Sequence, residues 1–310
     1  MQQVFNRYIT YLDVERNASP YTVRNYTADL LGSKNIRGFF TFLKEKGVKS
    51  LDEVDRAVLR DYLAYLMEQG VAKASIARKL SAIRSFCRYL LREGMISSSP
   101  ITITSSPKLD KRLPSFLSIA EMERLLKAPD LSTPVGQRDR ALMELLYAAG
   151  IRVSELANLD TGQVNLNTNE IRVWGKGSKE RVALMGEPAA EALSAYLSQG
   201  RPKLMGKKSG SALFVNRYGK RLTERSVQKM LQKYAILAGI DKRIYPHLLR
   251  HTFATHLLDG GADLRVVQEL LGHANLSSTQ IYIHVSQSQA RKVYLSAHPL
   301  AQEKDDELKE

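Results

Sequence analysis

The sequence predicts a mainly α-helical protein with a small β-sheet in its second half, and three observations support this. Apolar residues recur at helical spacing through the first hundred residues. Two short segments, 170–174 and 181–185, instead alternate polar and apolar residues, as the strands of a hairpin do. A stretch rich in serine and proline, residues 99–114, separates the two halves. We therefore predict an N-terminal helical bundle followed by an α+β domain.

The first domain, residues 1–98, contains only helical patterns. The first covers residues 2–16, and a second begins at Ser19-Pro20, with proline near its first turn. Its apolar pattern continues through Phe39 and Phe40, and the intervening stretch 31–37 is expected either to lengthen the helix or to kink it at Gly32. Two more helices are predicted, each ending at a glycine; they cover residues 52–70 and 74–94.

The second domain is predicted to span residues 115–300. Ser118 and Glu121 form a capping box before a first helix. Glycine residues between the two strands place a hairpin tip at 175–179. Further apolar patterns predict helices over 138–150, 188–197, 223–239, 247–259, 263–271 and about 287–297. A charged tail, residues 301–310, follows.

Charge indicates the class of partner. Lysine and arginine number 46 against 32 acidic residues, which gives a net charge of +14 and a pI near 9.7. Such a balance favours binding to nucleic acid, because cationic side chains release the counterions of the phosphate backbone. No segment matches a membrane span or a secretory signal. The single cysteine, Cys87, lies in a helical pattern and is expected to be buried and inert, so we predict a cytoplasmic protein.

Two arginines of the second domain fit the binding of a phosphodiester. A guanidinium suits this task because it stays charged and donates to two phosphate oxygens at once. Arg152 lies just beyond the predicted helix end at Gly150, and Arg250 lies on the predicted helix 247–259. The alternative for Arg152 is a surface ion pair with Glu155. Glu155 in turn fits a carboxylate at a helix start, where the helix dipole favours it.

Histidines fit the proton transfers of phosphodiester cleavage. His247 lies three residues before Arg250 and shares a helix face with it, which suits a general base or a phosphate contact. His273 follows Gly272 at a predicted helix end and suits a second donor to the phosphate. Three histidines on one helix also suggest a metal site. The chain lacks a His-Glu-x-x-His motif and no cysteine is available as a ligand, so we predict no metal and no cofactor.

Two further candidates rest on weaker local patterns. Lys176, at the predicted hairpin tip, is placed to reach into a site and donate a proton, and Lys179 competes for that role in the same turn. Tyr282, flanked by two isoleucines, is either a nucleophile or a core residue. A phenol has a pKa near ~10, so it attacks well only where neighbouring cations favour the phenolate.

Taken in order with their flanking residues, these motifs resemble those of the tyrosine recombinases, and most closely the Xer branch. The matching segments are 150–156, 175–181, 247–255, 270–273 and 278–284. The Ser19-x-x-Thr22-x-x-x-Tyr26 pattern also resembles the start of the core-binding domain of that family. The resemblance implies that Tyr282 is the nucleophile, that Lys176 is the general acid, and that Glu155 orients the site.

The resemblance further implies how such a protein acts on duplex DNA at a specific recombination site. The two domains form a C-shaped clamp, and Tyr282 forms a 3′-phosphotyrosyl link. Strand exchange passes through a Holliday junction held by four protomers, which form a homo-tetramer or a hetero-tetramer with a related recombinase. Helix 288–297 resembles a segment that docks on a neighbouring protomer; folding back on its own domain is the alternative. No membrane partner is expected.

The biological role implied by the resemblance is chromosome-dimer resolution in the nucleoid, with a septal DNA translocase as a further partner. A phage or mobile-element integrase, a relative that binds DNA without cutting it, and a type IB topoisomerase are the alternatives. Basic residues outside the catalytic set are expected to contact the DNA backbone. They are Arg78, Lys79, Arg84, Lys108, Lys111, Arg112 and Lys179.

Overall fold

The computed structural model describes residues 2–33, 36–98, 115–174, 180–272 and 287–299. Contacts divide the chain into two units, Met1–Leu113 and Pro114–Glu310. The stretch predicted as a linker, 99–114, and the charged tail, 301–310, lie outside the described residues. The fold class predicted from the sequence is confirmed, since the first unit is helical and the second combines helices with one small sheet.

Helices account for the first unit. They are α1 Gln2–Thr10, α2 Pro20–Leu31, α3 Phe39–Glu45, α4 Arg56–Glu68 and α5 Lys73–Arg92. The chain leaves α1 through a π-helical turn, Tyr11–Glu15. The hydroxyl of Ser19 accepts a hydrogen bond from the backbone N–H of Thr22 (3.2 Å) and so caps α2, as the Ser-Pro pair predicts.

Neither alternative for the stretch 31–37 is correct, because α2 ends at Leu31 instead of lengthening or bending. Gly32 has a φ of 99°, outside the helical region, and forms an antiparallel bridge with Arg37. A Cβ on Gly38 would overlap the backbone at Gly32, so this close approach needs glycine. The chain therefore restarts as a separate helix at Phe39.

The core of the first unit contains a group of aromatic rings in mutual contact. Phe86 of α5 packs edge-on against Tyr8 and Phe40, with ring centroids 5.1 Å apart in each case. Cys87 is buried beside them, and this burial raises the pKa of its thiol to about 12. The thiol is therefore unreactive at neutral pH, because the thiolate is the reactive form.

The second unit contains nine helices among the described residues. They are α6 Ile119–Lys127, α7 Pro134–Ala149, α8 Val153–Asn158, α9 Glu187–Ala195, α10 Arg201–Met205, α11 Glu224–Leu237, α12 Pro246–Asp259, α13 Leu264–Leu270 and α14 Gln287–Ala297. The capping box predicted at Ser118 and Glu121 is present at the start of α6. A π-helical turn, Tyr196–Gly200, joins α9 to α10.

Helix α7 is the centre of this unit and is buried along most of its length. The hydroxyl of Thr133 accepts a hydrogen bond from the N–H of Gly136 (3.0 Å) at its start. Gly150 ends the helix with a φ of 54°, and a Cβ there would overlap the ring of Phe253 on α12. The chain is thereby turned sharply into Arg152 and α8.

A three-stranded antiparallel sheet forms beside these helices, in the order β1-β2-β3. Its strands are β1 Val164–Asn165, β2 Glu170–Trp174 and β3 Glu180–Leu184. The register pairs Glu170 with Leu184 and Trp174 with Glu180. The predicted hairpin is therefore present, while the short strand β1 extends the sheet beyond it.

Helix α14 packs against α12 and α13 of its own chain. Tyr294 and the following His298 are buried, at 1% and 0% exposure, and their rings stack with centroids 5.1 Å apart. A Cβ on Gly260, after α12, would overlap the backbone of Ala297. In the single chain this segment thus folds back on its own domain; docking on another protomer stays a prediction about an assembly. Among the described residues no helix is both long and apolar enough to cross a membrane.

Candidate active site

Arg152 stands at the turn between α7 and α8, where its backbone and its side chain bind the same carboxylate. The Arg152 N–H donates to Glu155 Oε2 (2.8 Å), and Nη1 donates to Glu155 Oε1 (2.8 Å). The Arg152 side chain remains 35% exposed, whereas that of Glu155 is 4% exposed. The predicted ion pair is therefore present, but its carboxylate is buried, so it is not a surface pair. This arrangement leaves part of the guanidinium open to a ligand.

Glu155 also binds a third charged residue, which the sequence analysis did not select. Arg181 of β3 donates from Nη2 to Glu155 Oε2 at 2.9 Å. Burial lowers the pKa of Arg181, and the positive charge of Arg152 acts in the same direction, against the attraction of Glu155. One buried carboxylate thus lies between two guanidinium groups.

Arg250 lies in the second turn of α12 and is 8% exposed. It donates from Nη1 to the carbonyl of Gly150 (2.5 Å) and from Nη2 to the carbonyl of Leu271 (2.6 Å). It therefore ties the end of α7 to the end of α13. Burial, reinforced by the charge of Arg152, lowers the pKa of Arg250 to about 10, so it stays protonated at neutral pH.

The three arginines converge on the two backbone residues that precede His273. Arg250 binds the carbonyl of Leu271, and Arg152 Nη2 donates to the carbonyl of Gly272 (3.4 Å). Arg181 lies so close to Gly272 that a Cβ there would overlap its Nε. Three guanidinium groups and one carboxylate, Glu155, leave an excess of two positive charges. Such an excess in a partly buried cluster suits a bound anion.

The histidines of α12 separate into two kinds. His247 is exposed and lies three residues before Arg250, so it faces the same side of the helix. His256 is buried, and its Nδ1 lies 2.8 Å from the hydroxyl of Tyr147. Burial lowers the pKa of His256, so it stays neutral and is part of the core. Of the histidines described on this helix, His247 is the one that shares the arginine face.

Several predicted site residues lie outside the described residues. They are Lys176, Lys179, His273, Tyr282, Lys108, Lys111 and Arg112. The strands that flank 175–179 and the residues that lead up to position 273 are described, and both border the arginine cluster. The roles of these residues stay predictions.

The predicted DNA contacts on α5 are placed differently from one another. Arg78 is half exposed and bonds the carboxylate of Asp29. Lys79 is 9% exposed, and its Nζ lies 3.3 Å from Asp29 Oδ1. Arg84 is half-buried. A contact to a DNA backbone needs an accessible ammonium, so the position of Lys79 disagrees with its assignment: Asp29 on α2 draws it inward.

Arg181 and Asp29 were not among the residues predicted from the sequence, although one signal for Arg181 was present. Side chains two residues apart on a strand face the same way. Arg181 is in phase with Ala183 and Met185, which are buried at 2% exposure each. A charged residue on the inward face of a strand needs a buried partner or a ligand. Asp29 left no such signal, because its partner Arg78 is 49 positions away.

Two family models match the chain. The model of the phage integrase family matches residues 115–289, and that of the phage integrase N-terminal SAM-like domain matches residues 5–94. The first of these covers more than half of the chain. The chain therefore belongs to the phage integrase family.

The relatives within this family are tyrosine recombinases. The chain is 48% identical over 301 residues to "Tyrosine recombinase XerC" of Pelotomaculum thermopropionicum, covering 96% of this chain and 98% of the relative. It is 42% identical over 301 residues to "Tyrosine recombinase XerD" of Staphylococcus aureus strain N315, covering 97% and 100%. In both cases the match covers nearly the whole length of the relative.

Solved structures show the same similarity in three dimensions. The XerH site-specific recombinase bound to palindromic difH substrate, a post-cleavage complex, is similar with a TM-score of 0.65 and 26% identity, covering 89% of this chain and 80% of that chain. A lambda integrase (75–356) dimer bound to a COC′ core site has a TM-score of 0.65 at 18% identity, covering 100% and 98%. The second likeness concerns the fold alone.

Proposed function

We propose that this protein is a site-specific tyrosine recombinase that cuts and rejoins duplex DNA. The observation that carries the proposal is the cluster of Arg152, Arg181 and Arg250 around the single carboxylate of Glu155. A scissile phosphate supplies the negative charge that this cluster lacks. Tyrosine recombinases of the Xer type cover the chain almost completely, which supports the same reaction class.

Arg152 and Arg250 are proposed to bind the non-bridging phosphate oxygens. Their donors are fixed before DNA arrives, which stabilises charge that grows on the phosphate in the transition state. Arg250 is held by two backbone carbonyls, and Arg152 by Glu155. Glu155 is thereby proposed to orient the site instead of binding DNA itself.

The proposed cleavage keeps the number of phosphate ester bonds constant. The phenolic oxygen of Tyr282 attacks phosphorus while the bond to the 5′ oxygen breaks, leaving a 3′-phosphotyrosyl link. Lys176 gives a proton to the departing 5′ oxygen, His247 accepts the phenol proton or binds the phosphate, and His273 donates to a phosphate oxygen. In rejoining, a 5′ hydroxyl of the partner duplex attacks the same phosphorus and releases Tyr282. One ester replaces another at each step, so no nucleotide hydrolysis is needed.

The domains, the assembly and the biological role are proposed from the same relatives. We propose residues 1–98 as the core-binding, DNA-binding domain and 115–300 as the catalytic domain with a C-terminal protomer-docking helix, with 99–114 as the linker and 301–310 as a charged tail. Assembly on DNA into a homo-tetramer, or a hetero-tetramer with a related recombinase, follows from the Holliday-junction pathway. Chromosome-dimer resolution in the nucleoid, with a septal DNA translocase as a partner, is the proposed role.

A trapped covalent adduct tests the reaction. The protein is incubated with a library of nicked duplexes drawn from the genome that encodes it, in which the nick lets the cleaved fragment diffuse away. The expected result is a protein–DNA adduct with the parent and none with Tyr282→Phe, which should still bind DNA. Binding without an adduct by the parent would make the protein a DNA-binding relative. Relaxation of supercoils without pairing of two sites would favour a topoisomerase.

A further inference from the structure

We propose that Arg181 is a positioning residue of the cleavage site, which holds Arg152 through Glu155 and fixes the backbone at Gly272. This inference rests on the proposed function and assigns a role to a residue other than the proposed nucleophile, the proposed general acid and the two proposed phosphate-binding arginines. Its effect on cleavage is expected to exceed its effect on DNA binding.

The position of Arg181 in the sheet brings it into the site. It lies on β3, two residues after the segment 175–179, and its side chain points to the same side as buried Ala183. The side chain is 18% exposed, and Nη2 is 2.9 Å from Glu155 Oε2. β3 is thereby joined to α8 directly beneath Arg152.

The shared carboxylate makes Arg181 a partner of Arg152. Glu155 uses Oε1 for the Arg152 side chain and Oε2 for both the Arg152 backbone and Arg181. Without Arg181, Glu155 keeps its two bonds to Arg152, but no other described hydrogen bond ties this pair to β3, so the pair can shift as a unit. Arg152 would then lose the fixed orientation that phosphate binding requires.

The backbone at Gly272 is the second part of the site that Arg181 holds in place. The Nε and the neighbouring Cδ of Arg181 occupy the space that a side chain on Gly272 would need. From the other side, Arg152 and Arg250 bind the carbonyls of Gly272 and Leu271. The backbone that leads into His273 is therefore held between three arginine side chains.

Two buried N–H groups of the Arg181 side chain reduce the stability of the folded state. Among the described residues, neither Nε nor Nη1 has a hydrogen-bond partner, although both atoms are buried. Burying donors without partners destabilises a protein. Glu155 is therefore the one hydrogen-bond partner of the Arg181 side chain among the described residues.

Arg140 provides a matched control in the same unit. It too is partly buried, pairs with a buried carboxylate, Glu144 (2.6 Å), and binds one backbone carbonyl, that of Leu126. Unlike Arg181, it makes no described contact with the arginine cluster. Arg140→Gln therefore reports what the loss of a comparable structural ion pair does.

The experiment measures single-turnover cleavage of a nicked duplex at saturating protein, together with DNA affinity and thermal unfolding. Arg181→Gln should lower the cleavage rate by about 10²-fold, the scale of a small misplacement of catalytic groups. Its DNA dissociation constant should stay within about three-fold, since one phosphate contact at most is disturbed. Arg140→Gln should lower the melting temperature and leave the cleavage rate of the folded protein unchanged.

Two further variants keep the test decisive. Arg181→Lys retains the charge but not the planar fork, so it should fold and cleave at a rate between parent and Arg181→Gln. If Arg181 acts through Glu155, the double variant with Glu155→Gln should be no slower than the slower single variant. Parent-like cleavage by Arg181→Gln, or multiplying defects in the double variant, would overturn the inference alone. Absence of any adduct with the parent would overturn the proposed function and this inference with it.

Discussion

Both units of the chain contain a buried carboxylate flanked by two cationic side chains, but the two networks are assembled differently. In the first unit, Asp29 pairs with Arg78 and Lys79, which are neighbours on one helix. In the second, Glu155 pairs with Arg152 and with Arg181, 26 positions away. The first network joins α2 to α5. The second gathers arginines from separate elements at a place that exists only in the complete fold.

The two networks are expected to differ in role, the first in the stability of its unit and the second in the proposed cleavage reaction. In the first network the lysine is buried against its partner, so its charge is used inside the protein. In the second, Arg152 remains 35% exposed and a further arginine adds uncompensated charge. We therefore expect changes in the first network to affect mainly unfolding, and changes in the second to affect mainly cleavage.

The largest expected effect is on the stability of the first unit. Asp29→Ala leaves the ammonium of Lys79 buried without its carboxylate, which should cost about 3–5 kcal/mol in the free energy of unfolding. Asp61→Ala is the control, because it breaks an exposed pair with Lys46 and should cost at most about 1 kcal/mol. Urea denaturation measures both. Similar costs for the two variants would contradict a structural role for the buried network.

The arginine cluster should respond in the opposite way. Arg250→Ala removes the donor that we propose binds the phosphate, and it should lower single-turnover cleavage about 10²–10³-fold. DNA affinity should fall far less, because many other contacts to the backbone remain. Filter binding and adduct formation, measured on the same preparation, separate the two effects. Cleavage within a few-fold of the parent would place the phosphate elsewhere.

Acid should distinguish the two units, because all six histidines of the sequence lie at or beyond position 247. Burial lowers the pKa of His298 to about 3, and the charge of His256 acts in the same direction. The rings of Tyr147, Phe253 and Tyr294 surround the His298 ring. Its neutral form is the folded one. Stability is thus complete above the unfolded pKa of ~6.5 and declines as the pH falls toward 3.

Between pH 7.5 and pH 5 the second unit should lose about 2 kcal/mol of unfolding free energy, while the first unit should lose no comparable amount. Denaturation curves followed by probes in each unit measure this. His298→Phe keeps an aromatic ring in place and should remove the larger part of the pH dependence. Equal losses in both units would show that carboxylates, not this histidine, govern the response.

The smallest expected effect concerns the salt dependence of DNA binding. Arg78 is half exposed, so Arg78→Ala should reduce the slope of log affinity against log salt concentration by about 1, as the loss of one phosphate contact does. Lys79→Gln should leave the slope unchanged, because its ammonium lies inside. A reduced slope for the Lys79 variant would mean that this side chain turns outward on DNA.

Long periodic elements and local capping signals were predictable from the sequence. The capping box at Ser118, the hairpin and the face shared by His247 and Arg250 all depend on residues close in sequence. Helix α8 was indicated only by the helix-start carboxylate Glu155, because six residues are too few for a periodic pattern. At Gly32 the predictions were a longer helix or a kink, whereas the helix ends there. The φ of 99° goes with a bridge to Arg37 that no local pattern reveals.

Charged residues were the least predictable part of the site, since their roles depend on distant partners. Lys79 has the same local pattern as a solvent-facing lysine, and only Asp29 on another helix draws it inward. Arg152 and Arg250 could be selected together because each lies in a recognisable motif. Arg181 lies within such a motif too, but its inward direction becomes clear only from the phase of β3.

The burial of Tyr294 and His298 has a consequence for protein synthesis. These residues complete a core whose other members begin near residue 117. The first unit has its own separate core and can fold while the ribosome is still translating the rest, since domains generally fold as units, N-terminal first. The second cannot close around α12 until position 298 has been made. A nascent chain therefore acquires its first folded domain well before the core of the second is complete.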